Sequence, residues 1–259
     1  MTAQRTAVTK GPASDQASTY KILAIDSSTS MISLALTVDH SVAAEASFCA
    51  DRTLSSRLVP EIERLTALAG FAISDLDLFA ASIGPGSFTG VRGGVATIQG
   101  LALACAKPCC GFSSLALLAM NFSLSPYPVC PLLDARKSEV YGGLYDCSGP
   151  LPVPLLKECV MPPAELLELI RSATDQPVIF AGDGALRYRE LIVNGLGEQT
   201  RMAPFQLHTS RAAHGALLAL DACRRGQLVA PELLLPVYLR ASDAEINRIA
   251  KLSAGHPLV

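Results

Sequence analysis

The sequence predicts an α/β fold built as two similar halves, and three observations lead there. Half of its 259 residues are apolar and 17% are charged, which suffices for one large domain or two small ones, each with a buried core. Apolar runs of strand length alternate with segments of helical periodicity. A strand, an Asp-containing turn and a second strand recur at a constant offset of 108 residues, so that Asp26 meets Asp134, Ile32 meets Val140 and Leu36 meets Leu144. Taken alone, the recurrence fits a duplicated unit and a coincidence of two hairpins equally well.

Residues 1–20 contain no apolar stretch of the kind found in an export signal and read as a flexible tail. The following KILAIDSSTSMISLALTV is an apolar strand, a polar turn from Asp26 to Ser30 and an alternating strand, together a hairpin. In TLSSRLVPEIERLTALAG, the residues Leu54, Leu58, Ile62, Leu65 and Ala69 fall at helical spacing. Pro60 implies a kink or a nearby helix start, and Gly70 suits the position just past a helix end. Asp77 to Ile83 reads as a buried strand running into the turn Gly84-Pro85-Gly86-Ser87. In the helix after it, Gly90, Gly93, Thr97, Gly100 and Ala104 recur at three- and four-residue intervals, a face almost bare of side chains. Each interior Gly costs about 1 kcal/mol relative to Ala, so the stripe requires a packing or binding reason. The second hairpin, PVCPLLDARKSEVYGGLYD, follows a Pro-rich stretch. Beyond it come a helix whose start is marked by Pro162-Pro163 and a strand, PVIFAGDGA, that ends in a glycine turn.

Charge and hydropathy exclude several functions. With 21 basic and 23 acidic residues the net charge is −2 and the pI about 6.1, so the chain lacks the broad positive surface of a protein that grips nucleic acid unaided. The mean hydropathy of +0.35 raises the question of a membrane, yet no run of about 20 apolar residues exists to cross one. Gln99 interrupts 94–106, and Asn121, Pro126, Pro128 and Pro131 break 115–133. The eight cysteines sit mostly in apolar runs, and the pair Cys109-Cys110 lacks metal-finger spacing. They read as reduced core or strand thiols, which implies a cytoplasmic address and no zinc.

The candidate chemistry lies in turns. Asp26 and Asp134, with the glycine turns at Gly84 and Gly86 and at Gly182 and Gly184, are what a phosphate-binding cleft between two halves needs: backbone N–H groups for phosphate oxygens and a carboxylate for hydrated Mg²⁺. The spacing matches neither a P-loop nor G-x-G-x-x-G, and the alternative is that the two Asp residues simply close their turns. His40, His208, His214 and His256 contain no i, i+4 pair and read as surface residues. Ser87 does not complete G-x-S-x-G and reads as a helix N-cap. No catalytic residue and no metal ligand set is therefore assigned.

IDSST, GPGSFTGVRGGVATIQGLA, LLDARKSEVYGGLY, GDGA and PVYLR together resemble the TsaB (YeaZ) family over about residues 21–240. The resemblance implies the duplicated two-lobe actin-like, Hsp70-like and sugar-kinase-like fold. Its lobes would span 21–125 and 126–240, with a final helix free to return to the first lobe, and 241–259 would be a tail. It also implies a non-catalytic subunit for making N6-threonylcarbamoyladenosine at position 37 of tRNAs that read codons beginning with A. The catalytic partner would be the paralogous TsaD, joined by TsaE, with tRNA met through the complex. The chain would have no cofactor of its own, and ATP or ADP would belong to the assembly. The helices expected to meet TsaD carry Leu54, Leu58, Ile62 and Leu65 on one and Gly90, Gly93, Thr97 and Gly100 on the other; the same face would serve a homodimer when TsaD is absent. The metal-binding His pair of TsaD would fall here on Ser114 and Leu118, which cannot replace it. The competing readings are a small-molecule kinase of the same fold and a metallopeptidase-like enzyme.

Overall fold

The computed structural model describes residues 19–49 and 54–240 and places two mixed sheets side by side. Nearly all of the expected tail at 1–20, the tail at 241–259 and His256 lie outside the described residues. The first half runs β1 (Lys21–Asp26), β2 (Met31–Val38), β3 (Ser41–Cys49), α1 (Leu54–Ala69), β4 (Leu78–Ser82), α2 (Phe88–Cys105), β5 (Cys109–Phe112) and α3 (Ser114–Ala119). The second runs β6 (Val129–Arg136), β7 (Glu139–Asp146), β8 (Val153–Met161), α4 (Pro163–Ala173), β9 (Val178–Ala181), α5 (Asp183–Arg187), α6 (Arg189–Leu196), β10 (Thr200–Met202) and α7 (Ala212–Arg224). The strand orders are β3-β2-β1-β4-β5 and β10-β9-β6-β7-β8. Read from the third strand of each half, the two orders are the same. In both, the first three strands pair antiparallel and the next two join in parallel. Two unrelated hairpins would not share this topology, so the 108-residue recurrence is a duplication and the fold is the two-lobe actin-like architecture.

Helices cover every sheet face, which is why β1 and β4 are unbroken apolar runs buried on both sides. On the outer face of the first sheet, Leu23, Ile25, Leu34 and Phe79 meet Leu58, Ile62 and Leu65 of α1 and Val91, Val95 and Ile98 of α2. Its inner face, from Ile22, Ala24, Leu78 and Ala80, receives Ala212, Ala216, Ala219 and Leu220 of α7. Conversely, α3 packs Leu115, Leu118 and Ala119 on Val129, Leu133 and Tyr145 of the second sheet. The last helix of each half thus crosses to the other half's sheet. The second sheet's outer face holds α4 and α6 through Leu166, Ile170, Ile192 and Leu196. Among the described residues no helix is long and apolar enough to cross a membrane.

Local signals account for most boundaries. Pro60 lies within α1 without ending it. Gly70, at φ +71, closes that helix, with Gly70 N–H bonded to the Ala67 carbonyl (3.2 Å) and Phe71 N–H to the Thr66 carbonyl (3.0 Å), the reciprocal pattern of a Schellman end. Pro163 begins α4, and Ser87 caps α2 by accepting the Gly90 amide. The strands β3 and β8 have no sequence signal of comparable strength, because each is half-exposed at its sheet and mixes polar with apolar residues.

The packing of α1 and α2 corrects part of the expected partner surface. Leu58, Ile62 and Leu65 are buried in the chain's own core, so they hold α1 to the sheet and are not free for a second protein. Leu54 opens α1, and its side chain lies outside the described residues. Gly90 also faces inward: a Cβ there would stand 2.1 Å from the Ser27 carbonyl oxygen. The outward face of α2 instead carries Gly93, Ala96, Thr97, Gly100 and Ala104, beside an exposed Leu103. Gly100 has nothing within 4 Å of the position its Cβ would occupy.

These two glycines make a paired prediction. Gly90→Ala forces a backbone contact apart and should destabilise the chain by about 1–3 kcal/mol, whereas Gly100→Ala, in an open helix interior, should stabilise it by about 0.5–1 kcal/mol. Urea unfolding of both variants measures the difference, and equal effects would show that the approach at Gly90 does not constrain the fold.

Candidate functional site

The lobes enclose a cleft of about 500 Å³ lined from the first lobe by Ser28, Thr29, Ser30 and Gly86 to Phe88, and from the second by Leu133 to Arg136, Tyr141 and Asp183. Its floor and mouth are set by the turns that follow β1, β4 and β6. Of the residues expected to form a nucleotide site, Gly86 and Asp134 reach this cleft and the others do not.

Asp26 is fully buried. Its Oδ1 accepts the Ser28 amide at 3.0 Å and the Ser82 hydroxyl at 2.6 Å, while Oδ2 accepts the Ser210 hydroxyl. Both oxygens are therefore engaged and none faces the cleft, which corrects the expectation that Asp26 holds a metal there; the turn-closing alternative is what the geometry supports. Asp134 lines the cleft but is also committed. Its Oδ1 accepts the Arg136 amide at 3.0 Å, and Oδ2 lies 3.3 Å from both Arg136 and Arg187. The Asp134 amide donates to Asp183 Oδ1 at 3.0 Å. The Asp134 carboxylate is thus paired within the chain, with a guanidinium group on either side.

The glycine turns serve the protein's own backbone. A Cβ on Gly86 would stand 2.3 Å from the Ser28 oxygen, and one on Gly182 would stand 2.0 Å from the Leu132 oxygen, with Gly182 at φ +106. Gly184 packs on Leu133 and Gly84 on Val237 in the same way. Gly84, Gly182 and Gly184 are buried, which corrects their assignment as phosphate-cradling residues. Ser87 N–H, at the start of α2, already donates to the Ser28 carbonyl at 2.7 Å.

A segment visible in the sequence only as the motif PVYLR closes the cleft's outer wall. Val237 to Arg240 pass from one lobe to the other: Val237 N–H donates to the Ile83 carbonyl at 2.7 Å, and Arg240 bonds Glu139 Oε2 at 2.7 Å and the Ala135 carbonyl at 2.8 Å. Tyr238 stacks on Phe88 with ring centroids 5.0 Å apart, and the Arg92 guanidinium lies 4.9 Å over the Phe88 ring. Further back, Gln99 of α2 donates to the Pro231 and Leu234 carbonyls, each at 3.0 Å. The strap therefore joins α2 to the second lobe. Its mixed polar and apolar residues, without periodicity, give no signal for this role.

The remaining titratable candidates are structural. His208 is buried, contrary to the surface position expected of it, because its ring bridges the backbone at Gly182 (3.2 Å) and Ala203 (2.9 Å). Burial pushes the Cys109 thiol up to about 12 and the Cys110 thiol up to about 11, which suppresses thiolate and hence reactivity. Ser114 and Leu118, where the TsaD metal pair would fall, are buried beside the cleft. Among the described residues no three His, Cys, Asp or Glu side chains gather as a metal would require.

The family described as "TsaD: tRNA N6-adenosine threonylcarbamoyltransferase" matches residues 48–248. The tRNA threonylcarbamoyladenosine biosynthesis protein TsaB of Bacillus subtilis (strain 168) is 31% identical over 228 residues, 88% of this chain and 97% of that one. The chain belongs to the TsaB family. Its Escherichia coli (strain K12) relative of the same name is 37% identical over 127 residues, 48% of this chain and 54% of that one. YeaZ from Pseudomonas aeruginosa superposes with a TM-score of 0.73 at 32% identity, covering 85% of this chain and all of that one. The TsaB-family motif GPGSFTGVRGG thus maps onto the buried turn and helix start that pack against Ser27 and Ser28.

Two outcomes follow from this geometry. Asp26→Ala leaves three donors unpaired, two of them on the buried Ser28 and Ser82, and should cost about 2–4 kcal/mol in urea unfolding, an effect on stability that a purely ligand-binding carboxylate would not produce. Arg240→Ala should detach the strap, seen as faster amide hydrogen exchange at Val237 and a loss of about 1–2 kcal/mol; unchanged exchange would show that the strap is held without Arg240.

Proposed function

We propose that this TsaB-family chain is a non-catalytic subunit in the formation of N6-threonylcarbamoyladenosine at position 37 of tRNAs reading codons that begin with A. It acts by docking on TsaD and holding that catalytic subunit in its active arrangement. TsaE and tRNA meet the pair, and ATP or ADP enters with the assembly. The observation that carries the reading is the outward face of α2. Over Gly93, Ala96, Thr97, Gly100, Leu103 and Ala104 it has no charged side chain, although Gly100, Leu103 and Ala104 are exposed. Small residues allow another helix backbone to approach closely, and an apolar helix face left uncovered is the mark of a protein contact. Exposed Val59 and Leu68 on α1 extend the apolar surface. In the absence of TsaD the same face joins two copies of the chain.

The non-catalytic part of the proposal rests on the engaged states of Asp26 and Asp134 and on the family resemblance, by which TsaD's His pair would fall on Ser114 and Leu118. In a reconstituted reaction with TsaD from the same organism, TsaE, tRNA, ATP and threonylcarbamoyl donor, omitting the chain should abolish most product. Gly100→Leu, which meets open space in the monomer, should leave folding intact and weaken heterodimer formation by about tenfold or more. An equal reaction rate without the chain defeats the function, and unchanged association of the Leu variant on a sizing column defeats the docking face.

A further inference from the structure

We propose that the docking surface for TsaD extends from α2 onto the strap, over Leu233, Leu235, Val237 and Tyr238. The inference rests on the docking reading given above and adds a second element to it. Area is the first reason. A stable protein contact buries about 800 Å² on each partner. The outward side of α2, an 18-residue helix about 27 Å long, is mostly glycine, alanine and threonine, which permit close approach but offer little side-chain area. A neighbouring element must supply the rest. On α1 the exposed residues include Arg57, Glu63 and Arg64, charges of the kind that the centre of a contact excludes. Residues 231–240 differ: of the five exposed there, Glu232 is charged and the other four are apolar, with Leu233 and Leu235 each 64% exposed.

The backbone holds these side chains outward. Val229 exchanges both of its backbone hydrogen bonds with Cys109 of β5, each at 2.9 Å, and Leu234 fills the first lobe's core. From α2, Gln99 grips the Pro231 and Leu234 carbonyls, and Val237 is bonded to Ile83. With the chain pinned at these points and Leu234 turned inside, the leucines on either side of it stay at the surface. The strap therefore runs the length of α2. Leu103, one helical turn beyond Gln99, is 58% exposed at one end, and Tyr238 stacks on Phe88 at the other. Such a strip is unlike the singly scattered apolar residues of an ordinary surface. It continues the bare face of α2, where Arg92 is the sole exposed charge, so one partner covers both. By the docking reading that partner is TsaD. Residues 237–240 also line the cleft and end on Glu139 of the second lobe, so TsaD seated on the strap steadies the cleft's outer wall as well.

The test uses the purified full chain, TsaD from the same organism and two measurements. Leu233→Ser combined with Leu235→Ser should weaken association about tenfold or more in a calorimetric titration and leave the circular dichroism of the free chain unchanged. In the unaltered chain, adding TsaD should slow amide hydrogen exchange across 233–238 severalfold, a result that does not depend on the variant folding. Unchanged affinity of the folded variant, or protection of α2 by TsaD without protection of 233–238, overturns the strap's part and leaves docking on α2 standing. Exchange that slows with chain concentration alone, and no further with TsaD, assigns the strip to a second copy and overturns the choice of partner. If TsaD protects neither element and Gly100→Leu binds it normally, the docking reading itself fails and this inference with it.

Discussion

The approach of α2 to the turn after β1 is the constraint on which the first lobe and the cleft both depend. Gly86, Gly90 and Gly94 bring the helix start against Ser27 and Ser28 at distances where any Cβ would collide. Ser27 returns the contact by donating its hydroxyl to the Gly90 carbonyl at 2.9 Å. Asp26 fixes the turn from below with three donors on its two oxygens. This contact determines where the first turn of α2 emerges, and with it the positions of Phe88 and Arg92 at the cleft and of the bare helix face on the outside.

The duplicated half solves the same problem with different residues. There Gly182 and Gly184 sit against Leu132 and Leu133, and a short α5 followed by α6 stands where the first half has the 18-residue α2. The acids diverge too. Asp26 is buried among serines, whereas Asp134 remains at the cleft between Arg136 and Arg187. Duplication has thus kept the backbone approach that both sheets need while the carboxylates took different partners. The Val237 to Arg240 strap, bonded to Ile83 at one end and to Glu139 at the other, ties the start of α2 to the second lobe through the Tyr238–Phe88 stack.

Much of the fold is legible in the order of the amino acids, for physical reasons specific to each element. The hairpins announce themselves because β1 and β6 are buried on both faces and their partner strands keep the same numbering offset. Pro163 and Gly70 mark helix ends through restricted and permissive backbone geometry. By contrast, β3 and β8 carry no apolar run, since they are half-exposed. The crossing of α3 and α7 to opposite sheets leaves no local trace either, because an apolar helix face does not name the sheet it will meet. The strap shows as PVYLR only through resemblance, its hydrogen bonds being formed by backbone and one arginine.

For the site the division is sharper. The resemblance carried by GPGSFTGVR and its companion motifs was enough to name the family, and residue spacing showed the unusual glycine stripe of α2, whereas the repeat needed the shared strand order of the two sheets. Which side of that stripe looks inward was left to the folded chain, which assigns Gly90 to the Ser27 contact and Gly100 to solvent, and which consumes three leucine and isoleucine positions of α1 in its core. Folding likewise saturates Asp26 and buries Ser28 and Ser114. Residue type and spacing specify what a side chain is able to bond, but burial and pairing depend on segments up to 184 positions apart, as Ser210 and Asp26 are, and those meet only when the chain is folded.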